Sequence, residues 1–141
     1  MSPPLRHAVS TGDVAACFPL MRQLRPHLVD EAAFVAQIMR QQAQGYRLLG
    51  TGESPVGLAG YRAMENTIYG KFVYVDDLVV AETERRGGLG AKLLDAVEAE
   101  ARKLGCARLV LDTGLANAFA QRFYFRWGML AGGMHFGKAL T

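Results

Sequence analysis

The sequence is short of the residues that would staple, anchor or metallate it. It has two cysteines and a single tryptophan. Cys17 and Cys106 lie far apart, with no CxxC motif and no Cys/His companion at a zinc-ligand spacing, so no metal is expected. Small apolar neighbours, Ala15, Ala16 and Ala107, suggest buried structural thiols in a reducing compartment. Apolar stretches fall well short of a membrane span. Ser10, Thr11, Gly12 and Asp13 interrupt any hydrophobic leader ahead of Cys17, so a cytoplasmic protein with no membrane association is expected. The basic residues form no run: 16 Lys and Arg against 13 Asp and Glu leave a net charge of +3, scattered along the chain. Without a basic stripe or interleaved stacking aromatics, nucleic acid is not an expected partner. No repeat, low-complexity tract or linker divides the 141 residues, which suit one domain over 1–141.

Periodicity orders the rest. Leu5 to Val9 suits a short strand. Val14, Phe18, Met21 and Leu24 recur at helical spacing until Pro26, and Asp30 opens a second helix with Phe34, Val35, Ile38 and Met39 on its apolar face, closed by Gly45. Tyr46 to Leu49, Val56 to Met64 and Lys71 to Val80 are strand-like and bounded by turn residues. Leu89, Leu93, Val97, Ala101 and Leu104 mark a further helix stopped by Gly105, with Glu98 and Arg102 paired on its outer face. Arg108 to Asp112 suits a buried strand, Asn117 caps a helix ending before Gly128, and Met129 to Leu140 is expected to supply a Gly-broken last strand. The order β-α-α-β-β-β-α-β-α-β is an α+β fold with a mostly antiparallel sheet flanked by helices. An apolar last strand could also pair with a second subunit, giving a homodimer.

The informative segment is Val73 to Gly90, which passes from a strand through a polar turn into a glycine-rich helix start. Amides at a helix start lack internal partners and carry the positive end of the dipole, so they suit a phosphate. Gly87, Gly88 and Gly90 admit a ligand to the main chain, and Arg85 and Arg86 add guanidinium forks. Two other phosphate loops fail here. A Walker loop needs Gly-Lys-Ser/Thr, whereas Lys92 follows Ala91 and precedes Leu93; a dinucleotide fingerprint needs glycine at Leu93.

What remains is Arg-x-x-Gly-x-Gly, met by Arg85, Gly88 and Gly90. With the downstream residues Asn117, Ala120, Phe123, Tyr124 and Gly128, the sequence resembles the GNAT superfamily of acetyl-CoA-dependent N-acetyltransferases. Those residues match the family's Asn-x-x-Ala-x-x-Phe-Tyr-x-x-x-Gly-Phe segment, with Met129 in place of the final Phe; the first 65 residues agree only in pattern. The resemblance implies that Arg85, Arg86, Gly87, Gly88, Gly90 and Ala91 hold the acetyl-CoA pyrophosphate. It also implies that Leu78, Val79 and Val80 pair with the pantetheine arm through their main chain, and that Asn117 meets the arm. Asn117, Ala120 or Gln121, and Tyr124 also share a stripe at three- and four-residue steps, beside a stripe of Phe119, Phe123 and Trp127 that reads as core.

Acetyl transfer to an amine needs a neutral nitrogen, yet a primary amine with a pKa of about 10 is mostly charged at neutral pH. A carboxylate or water relay should take the proton. Asp76 and Asp77 interrupt an apolar strand and are the candidates, although strand neighbours point to opposite faces and either could instead pair with an arginine. Asp112, at a strand end, is a further candidate that also reads as a turn. Tyr124 matches the family's general acid for the departing sulfur. His7, His27 and His135 match no catalytic position of the family, although His135 could border the acceptor pocket. Arg22, Arg25 and His27 could bind an acidic group, whereas Asp76 and Asp77 would attract a cationic amine. The resulting expectation is an N-acetyltransferase working by direct attack of a primary amine, small molecule or lysine, on acetyl-CoA without an acyl-enzyme. The alternative is a non-catalytic acyl-CoA-binding or regulatory module on the same fold.

Overall fold

The structure, a computed structural model, describes residues 4–141, which divide into two compact units, 4–110 and 111–141. In the first unit, strands β1 (Leu5–His7), β2 (Tyr46–Thr51), β3 (Gly57–Asn66) and β4 (Gly70–Val80) form an antiparallel meander. Strand β5 (Arg108–Leu111) completes a sheet in the order β1-β2-β3-β4-β5. The chain meets β4 near its start, where Ala107 N–H donates to the Lys71 carbonyl at 2.8 Å. The tip of the β3–β4 hairpin is held by Asn66, whose side chain accepts from the amides of Ile68 and Tyr69. This local bond lets both strands run further than hydropathy alone suggests.

Helices α1 (Thr11–Ala16), α2 (Phe18–Leu24) and α3 (Glu31–Ala43) share one core with the sheet, built from Val14, Phe18 and Met21 of the first two, Phe34 and Ile38 of α3, and Tyr46, Leu48, Leu58 and Val79 of the strands. The single helix expected over Val14 to Leu24 is broken at Cys17, which ends α1 and begins α2. Pro19 explains the break: it sits in the first turn of α2 and has no N–H with which to continue the ladder from α1. Helix α4 (Leu89–Lys103) buries Leu89, Leu93, Leu94, Val97 and Ala101 and packs on β3 and β4. Its close approach depends on Gly57, where a Cβ would lie 2.8 Å from the Leu89 side chain.

The second unit contains helix α5 (Ala118–Trp127), capped as expected by Asn117 and ended by Gly128 in the left-handed region at φ 105°. The strand expected over Met129 to Leu140 does not form. Gly132, Gly133 and Gly137 leave that segment few side chains for cross-strand pairing, and nearly all of it is exposed. Among the described residues no helix is long and apolar enough to cross a membrane.

Candidate active site

The turn after β4 is built to leave main-chain donors facing outward. β4 is tied off where Ala81 N–H donates to Val56 C=O at 2.8 Å, a single 3-10 turn follows at Glu82–Glu84, and Arg85 to Gly88 are all exposed. Gly88 occupies the left-handed region at φ 73° as the N-cap of α4, a conformation that glycine adopts without the penalty of a Cβ. No side chain caps this helix, and its first turn holds no acid to offset the positive end of the dipole. The amides of Leu89, Gly90 and Ala91 therefore have no partner within the helix. Arg86 is exposed, and Arg85 makes one long contact, 3.4 Å from Nε to the Val80 carbonyl. Leu78, Val79 and Val80 precede this turn, paired on the β3 side with Ala59, Leu58 and Gly57.

The two adjacent acids do not alternate as strand neighbours should. Asp77 lies opposite Gly60 and Val75 opposite Tyr61, so Asp76 is an extra residue bulged out of β4. Both side chains consequently enter one polar network. Arg62 takes Asp76 bidentately, Nε to Oδ1 and Nη2 to Oδ2, each at 3.0 Å. Arg25 donates from Nε and Nη2 to Asp77 Oδ1 at 3.2 and 3.0 Å, and from Nη2 to the Asp76 carbonyl at 2.9 Å. Tyr46 donates its hydroxyl to Asp77 Oδ2 at 2.8 Å. The Arg62 guanidinium also lies over the Tyr46 ring, 5.4 Å from its centroid.

Burial raises the Asp76 carboxyl above its ordinary range, with the Arg62 hydrogen bonds and charge opposing the rise. Burial, reinforced by Asp77, pushes the Tyr46 phenol well up, so it remains a donor. Tyr46 reaches Asp77 only by crossing β3 at Gly60, where a Cβ would overlap its hydroxyl and come within 2.8 Å of Cε1. Tyr46, Gly60 and Arg62 are site residues that linear pattern did not single out. The one available signal was a glycine inside a strand, which often marks the close approach of another group.

Asp77 and Arg25 open onto a cleft of about 260 Å³ between α2, α3 and β4. Met21, Leu28, Phe34 and Ile38 form its apolar wall, and His27, Gln37 and Gln41 add polar groups. Asp77 on one side and Arg25 and His27 on the other, which point to opposite kinds of ligand in the sequence, thus line a single cavity, whereas Asp76 stands outside it on Arg62. Arg22 does not line it either; its guanidinium lies over the Phe18 ring.

In the second unit, the Asn117 side chain accepts from Ala120 N–H at 3.2 Å, and Gln121 Nε2 donates to the carbonyls of Gly114 and Leu115. The Tyr124 phenol is partly buried, and burial raises its pKa. Phe123 and Trp127 are half-buried, but Phe119 is 82% exposed on the first turn of α5, with the Arg122 guanidinium 5.9 Å from its ring centroid, so it is no core residue. Asp112 forms an ion pair with His135 at 3.5 Å. His7 bonds the Tyr61 hydroxyl at 2.7 Å, away from the acid network. Cys17 is buried and its thiol is pushed up to about 11, which makes it a poor nucleophile. Among the described residues no group of three His, Cys, Asp or Glu is placed to hold a metal.

Residues 14–129 match the acetyltransferase (GNAT) family. An aminoalkylphosphonate N-acetyltransferase of Salmonella typhimurium is 29% identical over 141 residues, an alignment covering 96% of this chain and 90% of that protein. The glucosamine-6-phosphate N-acetyltransferase of Arabidopsis thaliana superposes with a TM-score of 0.77 at 19% identity, covering 98% of each chain. The aminoglycoside N-acetyltransferase AAC(6')-Iy in complex with CoA superposes with a TM-score of 0.82 at 18% identity, covering 98% of this chain and 95% of that one.

Proposed function

Because the chain belongs to the acetyltransferase (GNAT) family and is an acyltransferase that moves acetyl to an amine, we propose that it draws the acetyl group from acetyl-CoA and passes it on by direct attack. The observation that carries this reading is the turn between β4 and α4: Arg85, Arg86, Gly87 and Gly88 lead into a fifteen-residue helix that has no side-chain cap and opens with Leu89, Gly90 and Ala91. Its unpartnered amides and two guanidinium groups suit a pyrophosphate. Leu78, Val79 and Val80 would pair with the pantetheine arm through their main chain. In support, β5 joins β4 near Lys71, at the opposite end of the strand. Asn117 caps α5 with its side-chain oxygen, which leaves its NH2 as a donor for a ligand.

In the step itself the amine lone pair attacks the thioester carbonyl, the C–N bond forms and the C–S bond breaks. Asp77, which lines the cleft, attracts the ammonium and takes its proton directly or through water. Asp76 is charge-balanced by Arg62 and holds that guanidinium over the ring of Tyr46, the donor to Asp77. Tyr124 gives its phenolic proton to the departing thiolate and is reprotonated, through water, by the second proton that the nitrogen sheds as the amide forms; its burial keeps the phenol protonated at neutral pH. The cleft admits a small amine, and an aminoalkylphosphonate, the acceptor in the Salmonella relative's name, is of that size.

The test is a panel of small amines, amino sugars and lysine peptides incubated with acetyl-CoA and followed by release of free CoA thiol. Amine-dependent thiol release with a matching acetylated product is expected. Tight acetyl-CoA binding with no product from any amine would point instead to a binding module.

A further inference from the structure

We infer that Arg25 selects the acceptor, and that the acceptor is a small amine bearing an anionic group, a carboxylate or a phosphonate; the inference rests on the acetyl-transfer reading above. Arg25 closes α2 just before Pro26, and its side chain turns back onto β4. Nε and Nη2 are spent on Asp77 Oδ1 and the Asp76 carbonyl, which fixes the guanidinium plane. The two N–H groups of Nη1 make no hydrogen bond, and the side chain is 43% exposed where it borders the cleft. Such a group is already ordered, so an oxyanion arriving at Nη1 meets a fork whose rotamer entropy has been spent in folding.

The rest of the cavity leans the same way. Gln37 donates to the Gln41 side-chain oxygen at 2.9 Å, which leaves the Gln41 amide NH2 as a free donor. His27 borders the cleft with its ring nitrogens unbonded. Against these donors the cavity offers one carboxylate, Asp77, whose oxygens already accept three hydrogen bonds. An amine with no anionic group would satisfy Asp77 and leave Arg25, His27 and Gln41 facing apolar carbon. An amine with an anionic end satisfies both poles, with its short carbon linker on Met21, Leu28, Phe34 and Ile38. The volume of about 260 Å³ is equivalent to roughly nine waters, which suits a molecule of a few carbons and excludes a long chain lying wholly inside.

The experiment compares 2-aminoethylphosphonate, β-alanine and n-propylamine, three primary amines of similar reach, with the wild type, Arg25→Gln and Arg25→Lys. The wild type should favour the anionic amines in kcat/KM, and Arg25→Gln should shrink that preference roughly ten- to a hundredfold, mostly through KM, the scale of a lost charged hydrogen bond. Arg25→Lys keeps a counter-ion for Asp77 without the planar fork, and should recover part of the preference. The ratio between phosphonate and carboxylate in the wild type identifies which anion the site takes. A wild type that does not discriminate, or variants that lose all three amines in equal proportion, would overturn the inference and leave Arg25 a structural partner of Asp77. Calorimetric titration of 2-aminoethylphosphonate separates the two readings. Binding that depends on Arg25 without turnover supports the anion site and overturns acetyl transfer, whereas equal binding to wild type and Arg25→Gln overturns the anion site alone.

Discussion

Gly60→Ala should be among the most damaging one-carbon changes in the sheet. The backbone there tolerates alanine, so conformational strain plays no part, and reduced freedom of the unfolded chain would by itself favour the variant by about 0.4–1 kcal/mol. The added Cβ, however, falls on the Tyr46 hydroxyl and ring. Tyr46 is 1% exposed and flanked by Arg62, so the ring has little room to yield. Forcing it aside costs about 1–3 kcal/mol in overpacking, and losing its hydrogen bond to the Asp77 carboxylate costs about 1.5–3 kcal/mol more. Net of that gain, a total of roughly 2–5 kcal/mol is a large share of a domain's stability. The control is Tyr46→Ala, which empties the space, so that Gly60→Ala in that background should cost under about 1 kcal/mol. Urea unfolding of the four proteins would give a coupling of at least about 2 kcal/mol. A small cost in both backgrounds would refute the reasoning and show that the ring does not depend on a bare backbone at this position.

Tyr124→Phe removes only the hydroxyl, so with a good acceptor kcat should fall roughly ten- to a thousandfold while acetyl-CoA affinity, read by calorimetry, changes little. Gly87 and Gly88 should separate binding from folding. At Gly88, φ 73° makes any side chain cost about 1–2 kcal/mol of stability, so Gly88→Val loses both stability and acetyl-CoA affinity. At Gly87 a Cβ meets nothing nearer than the Glu84 carbonyl at 3.7 Å, so Gly87→Ala should keep its melting temperature and lose affinity alone. Cys106→Ala should remain active, with no acetyl adduct in intact-protein mass spectra of either protein. His7 has its pKa lowered by burial from the ordinary 6.5, so the unfolded chain binds the proton first and stability should fall as pH drops below about 6.5. Denaturant melts of His7→Gln between pH 7 and 5 should show a flatter dependence than the wild type.

The order of elements was legible from residues 5 to 127 because each boundary carried its own chemistry: Asp30 and Asn117 as caps, Gly45, Gly105 and Gly128 in the left-handed region after helices. The failures have equally local causes. Pro19 divides a stripe whose apolar spacing is continuous through Cys17, and spacing does not register a missing N–H. Met129 to Leu140 carries apolar residues, but its glycines leave them without ladder partners. The glycine-rich turn was readable because its residues are consecutive. The acid network was not: Arg25, Tyr46, Gly60 and Arg62 come from one helix end and two strands, and meet Asp76 and Asp77 only through long-range pairing.

The bulge at Asp76 also sets the phase of β4. Ahead of it, Val73 and Val75 pair with Ala63 and Tyr61; beyond it, Asp77 and Val79 pair with Gly60 and Leu58, so the odd-numbered residues of one strand serve opposite faces of the sheet. A strict two-residue alternation would have sent Asp77 and Val79 to the other face. Length is therefore a coded quantity in this strand. Removing Asp76 would straighten the ladder and leave Asp77 and Val79 opposite Gly60 and Leu58 on their present face, whereas one residue inserted after Asp77 would turn the core Val79 away from Leu58; the Glu53 to Pro55 turn between β2 and β3 can change length without moving the phase of β4. Outside the bulged position, a single-residue insertion or deletion in β4 thus changes which side chains reach the core and the cleft more than it changes size.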